Sequence, residues 1–173
     1  MLAIAVPLTG IPSIPSLAAV NSSLTSENSV IITQEEVARK EKAELVDNFF
    51  ASYDAPLEGH GMKFVVEAEK NDIDWRLLPA IAMRESTGGK HACKKASNSV
   101  FGYGSCKMSF DSIDDSIEVV AKSLGGNNPN TARHYDDKTT IQILKKYNSV
   151  IPNYAREVVK IMKMIKDDGK EVI

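Results

Sequence analysis

The sequence predicts an all-α domain, or α with at most a short hairpin around residues 98–108, and three observations carry that expectation. Apolar residues return roughly every three to four positions in most segments after residue 33, the period of a helix with one buried face. Those segments open on Ser, Thr or Asp and close on glycine pairs or polar turns, the usual start and stop residues of helices. Only residues 90–111 lack helical periodicity over a long stretch, and no internal repeat is evident.

Taken in order, Thr33-Gln34-Glu35-Glu36 has the form of a capping box, and a helix follows through about Ala51 with Val37, Leu45, Phe49 and Phe50 on its apolar face. Asp54-Ala55-Pro56-Leu57-Glu58-Gly59 reads as a turn. A second helix is expected from about Gly61 to Lys70, with Phe64, Val65 and Ala68 inward. A third begins with Asp74 as N-cap and carries Trp75, Leu77, Leu78, Ile81 and Ala82; Pro79 displaces or kinks its start, and Gly88-Gly89 ends it. Ser112 caps a fourth helix bearing Ile117, Val120, Ala121 and Leu124, which Gly125-Gly126 stops. Thr139 or Thr140 caps a helix to about Tyr147. The last runs from about Asn153 to Lys166, with Val158, Ile161, Met162 and Ile165 inside.

The 173 residues suit one domain of residues 34–168, preceded by a signal-like segment and flexible linker over 1–33 and followed by a tail, 169–173. The chain needs no oligomer or metal for stability, so a monomer without cofactor is expected. Residues 34–80 are net acidic and 81–173 net basic, a distribution that two ordinary solvated surfaces would also give. No basic cluster is interleaved with stacking aromatics, which argues against nucleic-acid binding. Met1 to Val20 is apolar and uncharged, with Ser16-Leu17-Ala18 as a cleavage triplet, and resembles the apolar region of a secretory signal. No Lys or Arg precedes it, and Pro7, Pro12 and Pro15 interrupt it, so a stable membrane span is not expected. In an exported protein, Cys93 and Cys106 read as a disulfide, worth roughly 3 kcal/mol by chain entropy. A zinc site using those cysteines with His91 and His134 has no usual ligand spacing.

Glu85 is the chief candidate for chemistry. It follows Ile81 by four positions and Leu78 by seven, which puts it on the apolar face of the third helix, in its last turn. Apolar surroundings and the carbonyl end of a helix both favour the proton-bearing form of a carboxyl, the form glycosidic cleavage requires. The spacing alone leaves open a rim glutamate paired with Arg84 or Lys90.

The words around Glu85 go further. Ile73-Asp74-Trp75-Arg76-Leu77-Leu78-Pro79-Ala80-Ile81-Ala82-Met83-Arg84-Glu85-Ser86 resembles the helix that carries the catalytic glutamate in the lysozyme-like superfamily, which includes lytic transglycosylases and bacterial glucosaminidases. Ala55-Pro56-Leu57 resembles the turn before that domain's first core helices. Asn98-Ser99-Val100-Phe101-Gly102-Tyr103 is similar to the strip that lines the glucosaminidase cleft. Tyr147 and Pro152-Asn153-Tyr154-Ala155 resemble the family's closing tyrosine segment. The four stand in the family's order. The chain departs from many transglycosylases in having Phe101-Gly102-Tyr103-Gly104 where they have Gly-Leu-Met-Gln.

The resemblance implies a lysozyme-like helical domain that cleaves β-1,4 bonds of peptidoglycan glycan strands, secreted or held in the cell envelope. It implies Glu85 as general acid and Tyr147 as a stabiliser of the charged intermediate. Ser86, Asn98, Phe101, Gly102 and Tyr103 are the implied substrate contacts, with Phe101 equally open to a core position and Ser86 and Asn98 to backbone partners, whereas Tyr154 is expected to pack. Glycosidases commonly use a second carboxylate. Asp111, Asp114, Asp115, Glu118, Asp136 and Asp137 are candidates, and none stands out. A lytic transglycosylase and a non-catalytic wall-binding module remain the alternatives.

Overall fold

A computed structural model describes the backbone of residues 17–165 and the side chains of residues 34–165. Most of the signal-like segment, up to residue 16, and the tail 169–173 lie outside the described residues. The chain divides into two units, Met1–Glu36 and Val37–Ile173, and apart from the start of the first helix the described elements lie in the second.

Helix α1 (Leu17–Ala51) starts well before Thr33, so the expected linker and capping box lie within it. No Pro or Gly falls between Ala18 and Ala51, and Ser, Asn and Thr weaken a helix by only roughly half a kcal/mol each. Its buried face is Ala43, Val46, Phe49 and Phe50; Val37 is 48% exposed and Leu45 only half-buried, so the stripe is turned from the one the pattern suggests.

Helix α2 (Gly61–Lys70) buries Phe64, Val65 and Ala68 as expected. It also buries Glu67, whose Oε1 accepts from Lys63 Nζ at 3.0 Å and Lys70 Nζ at 2.9 Å. Burial alone would lift the Glu67 carboxyl, but its hydrogen bonds to Lys70 and Lys63 outweigh burial and hold it below the usual carboxylate range.

Helix α3 (Leu77–Ser86) is the centre of the domain. Leu77, Leu78, Pro79, Ala80, Ile81 and Ala82 are all buried, so this helix is enclosed on every side rather than lying on the surface with one apolar face. Pro79 sits in its first turn, where a missing N–H does no harm, and the start is displaced to Leu77. Asp74 instead closes a local turn, its Oδ1 accepting from the Arg76 amide at 2.9 Å.

The hairpin allowed around residues 98–108 does not form: no strand occurs among the described residues. The segment ends instead in a single tight turn, α4 (Tyr103–Cys106). Helix α5 (Ile113–Leu124) begins with Ser112 accepting from the Asp115 amide at 3.0 Å. A short α6 (Ala132–Tyr135), not expected from the polar sequence there, precedes α7 (Thr140–Tyr147), where Thr139 and Gln142 make a full capping box. Helix α8 (Tyr154–Met164) packs chiefly on α3, burying Tyr154, Val158 and Met162. The domain is thus all-α, and its core is a helix whose last turn alone reaches the surface.

Candidate active site

Three devices fix the last turn of α3. Thr87 adopts left-handed geometry (φ 53°), and its amide and that of Gly88 turn back to the carbonyls of Met83 and Ala82 at 2.9 and 3.3 Å. Gly88 lies against the Ala55–Leu57 turn, and an added Cβ would come 2.6 Å from that of Ala55, so no other residue fits without movement. Ser86, only 2% exposed, donates to the Ala82 carbonyl at 3.0 Å and accepts from the Gly89 amide at 2.9 Å. Its hydroxyl thus takes the backbone partners that were one of the two roles open to it, and it ends the helix.

Glu85 emerges half-buried from this turn into a cleft of about 400 Å³. The cleft is lined by Glu85, the 101–105 segment, Tyr135, Tyr147 and Asn148, and Glu85 is the one carboxylate among these residues. Tyr154, from the first turn of α8, donates its hydroxyl to Glu85 Oε1 at 2.6 Å. The neighbouring Arg84 is turned away: its Nε donates to Glu157 Oε2 at 2.8 Å, and its guanidinium lies 5.8 Å from the Tyr154 ring centre. The pairing of Glu85 with Arg84 that the spacing left open is therefore not made.

Tyr147 stacks on Tyr154 with ring centres 6.1 Å apart, and Tyr103 lies 6.5 Å beyond it. The Tyr147 hydroxyl donates to the carbonyl of Phe101 at 2.6 Å, tying α7 to the opposite wall. Burial first, then the charge of Glu85, pushes the Tyr147 phenol well above its ordinary value. Burial and the hydrogen bond to Glu85 do the same to Tyr154, and burial pushes Tyr135 up to about 12. All three phenols stay protonated throughout the physiological range, and Tyr147 and Tyr154 act as hydrogen-bond donors.

The wall facing Glu85 is unusual backbone. Gly102 has φ 64°, and Gly104, Ser105 and Cys106 follow at 63°, 58° and 57°. An L-residue in this left-handed region loses about 1–2 kcal/mol, so Ser105 and Cys106 persist only because something holds them. The Cys93–Cys106 disulfide, Cα atoms 5.6 Å apart, is that tether. A Cβ on Gly102 would stand 3.3 Å from Glu85 Oε2, so glycine serves both the backbone geometry and the room beside the carboxylate.

The other residues named from sequence separate into two groups. Gly102 and Tyr103 line the cleft with Glu85 and Tyr147. Phe101 contributes its backbone, while its ring is fully buried against Phe64, 6.4 Å between centres, in the core position that was the alternative to sugar stacking. Asn98 donates to the Phe110 carbonyl at 2.9 Å and sits at φ 54°; it braces the loop rather than lining the cleft. The candidate second carboxylates lie elsewhere: Asp114 pairs with His60 at 2.7 Å, Glu118 with Lys63 at 2.8 Å, and Asp115 accepts from the Asp111 amide. Asp136 and Asp137 do not line the cleft either.

Sequence reasoning missed the Tyr154 contact and the parts of Tyr135 and Asn148 in the lining. Tyr154 stood inside a quoted motif, yet spacing alone does not say which of two nearby tyrosines reaches the acid.

The model of one family, the glucosaminidases, described as mannosyl-glycoprotein endo-beta-N-acetylglucosaminidase, matches residues 61–167, more than half of the chain. The chain belongs to the glucosaminidase family. No curated protein and no solved structure matches it. The match begins at α2 and takes in α3, the disulfide loop, the cleft wall and α8, so every cleft residue of this glucosaminidase domain falls inside it. Membership makes the domain a glycosidase of glycan strands.

Proposed function

We propose that this domain cleaves the β-1,4 bonds between N-acetylglucosamine and N-acetylmuramic acid in peptidoglycan, with Glu85 as general acid. The observation that carries it is the setting of Glu85: a lone carboxylate at a cleft of sugar size, held by a neutral phenol with its adjacent arginine engaged elsewhere. In this reading the Glu85 carboxyl supplies the proton that the leaving sugar oxygen must receive.

The steps follow. Glu85 gives its proton to the glycosidic oxygen as that bond breaks, and positive charge develops on the sugar ring. With no second carboxylate in the lining, the substrate's own N-acetyl oxygen is the nearest group able to share that charge. Tyr147 assists, because a phenol that donates to the Phe101 carbonyl keeps lone pairs for a cationic neighbour. Glu85, now a carboxylate, takes a proton from the attacking water and is restored. Tyr154 keeps the carboxyl aimed through both stages, as a positioning residue.

The single carboxylate also suits a lytic transglycosylase, in which Glu85 would take its second proton from a hydroxyl of the same sugar, closing an anhydro ring. Mass spectrometry of the released fragments separates the two products by one water. Glu85→Gln keeps shape and removes the proton; digestion of purified walls is expected to fall by about 10³-fold or more. Wild-type rates in that variant would overturn the mechanism, and saturable wall binding with no fragments from the unaltered protein would favour a binding module. We also propose that residues 34–168 are the working unit, a monomer acting outside the cytoplasm, where a disulfide such as Cys93–Cys106 persists. No helix among the described residues is long and apolar enough to cross a membrane.

A further inference from the structure

A second cavity lies beside the cleft. A groove of about 580 Å³ runs between α7 and α8 and shares Asn148 with the cleft. Tyr154 belongs to its wall while its hydroxyl holds Glu85, so groove and acid meet at one residue. The groove walls are apolar at Ile141, Ile151 and Val159, and two cations, Lys145 and Arg156, stand along it. Both are exposed, neither makes an ion pair with another described residue, and no carboxylate is among the lining residues.

The sugar rings themselves carry no charge for two unpaired cations to meet, and the groove offers no exposed aromatic platform for sugar faces. Every other sugar of peptidoglycan, however, carries a short peptide through its lactyl ether, rich in alanine and ending in free carboxylates. Building on the function proposed above, we infer that the α7–α8 groove binds this peptide stem. Its carboxylates meet Lys145 and Arg156, and its methyl side chains lie against Ile141, Ile151 and Val159. The stem thereby sets which glycosidic bond comes to rest beside Glu85, and the enzyme distinguishes stem-bearing strands from bare ones.

The test uses the whole chain in two forms. The Glu85→Gln protein is titrated with N-acetylglucosaminyl-N-acetylmuramyl pentapeptide and with the same disaccharide lacking the peptide. The peptide-bearing ligand is expected to bind about tenfold tighter, the scale of two exposed charge pairs, and less so as salt rises. Adding Lys145→Ala and Arg156→Ala should erase that advantage, whereas Lys145→Arg with Arg156→Lys should keep it. In parallel, the otherwise wild-type enzyme should cleave stem-bearing strands faster than amidase-stripped ones, and the double alanine variant should cleave both at the stripped-strand rate. Equal affinity for the two ligands, or an advantage that survives the double alanine change, overturns the groove assignment. Stripped strands cleaved normally with no peptide advantage would sink the groove alone; failure to bind or cleave either polymer would sink the proposed function with it.

Discussion

Glu67 and Glu85 stand on adjoining helices, α2 and α3, and have opposite kinds of partner. Glu67 is buried to 2% exposure and gripped by two ammonium groups, which keep it ionised and make it part of the scaffold. Glu85 is half-buried and meets a phenol, while the arginine beside it is committed to Glu157. The two ammonium groups tie Glu67 into the scaffold, whereas the phenol orients the Glu85 carboxyl and places no charge beside it. What separates the structural carboxylate from the proposed reactive one is therefore the partner, more than the depth of burial.

Substitutions should divide along that line. Glu85→Gln is expected to remove about 10³-fold or more of wall digestion while leaving the thermal midpoint near wild type, as measured by turbidity and calorimetry on the same sample. A comparable loss of stability would blur the distinction. Next in size, Cys93→Ser with Cys106→Ser should destabilise the domain by roughly 3 kcal/mol in denaturant melts. Activity should fall beyond what unfolding explains, since the left-handed wall at 104–106 loses its tether.

Glu67→Gln should show the reverse of Glu85→Gln: about 2 kcal/mol less stable at neutral pH, with activity of the folded fraction retained. Its pH dependence follows from the sign of the shift. The folded carboxyl lies below its unfolded value of about 4.3, so the stabilisation is full above that pH and lost as pH falls through the lower folded value. The gap between wild type and Glu67→Gln should accordingly narrow in melts as the pH is taken down below that unfolded value. Smallest, Tyr154→Phe should lower kcat about tenfold with KM little changed and should move the pH profile of kcat/KM. A tyrosine that merely packed would leave that profile in place.

Much of the scaffold was legible because short-range chemistry sets it. Ser112 and Thr139 start helices where their hydroxyls face backbone amides, and Gly88 and Gly126 follow helix ends where only small or left-handed residues fit. The buried stripes of α2 and α5 follow from apolar spacing alone. What escaped is long-range. Nothing local says that Tyr154 rather than Tyr147 reaches Glu85, sixty-nine residues away, or that the Phe101 ring turns into the core while its carbonyl faces the cleft. Spacing left Ser86 open to a sugar or a backbone partner, and only the helix end beside it decides for the backbone. The extension of α1 through a Ser- and Thr-rich stretch shows the opposite limit: composition suggested a linker, but without Pro or Gly nothing obliges a helix to stop.

The enclosure of α3 has a consequence for how the molecule wears out. Its amides lie in the most densely covered part of the domain, where hydrogen exchange requires opening of the whole fold rather than fraying of an edge. Glu85 rides on the end of that rod. Warming should therefore not blunt the acid gradually through local loosening; its position should hold until the domain melts, so that loss of activity and deuterium uptake along α3 share one midpoint.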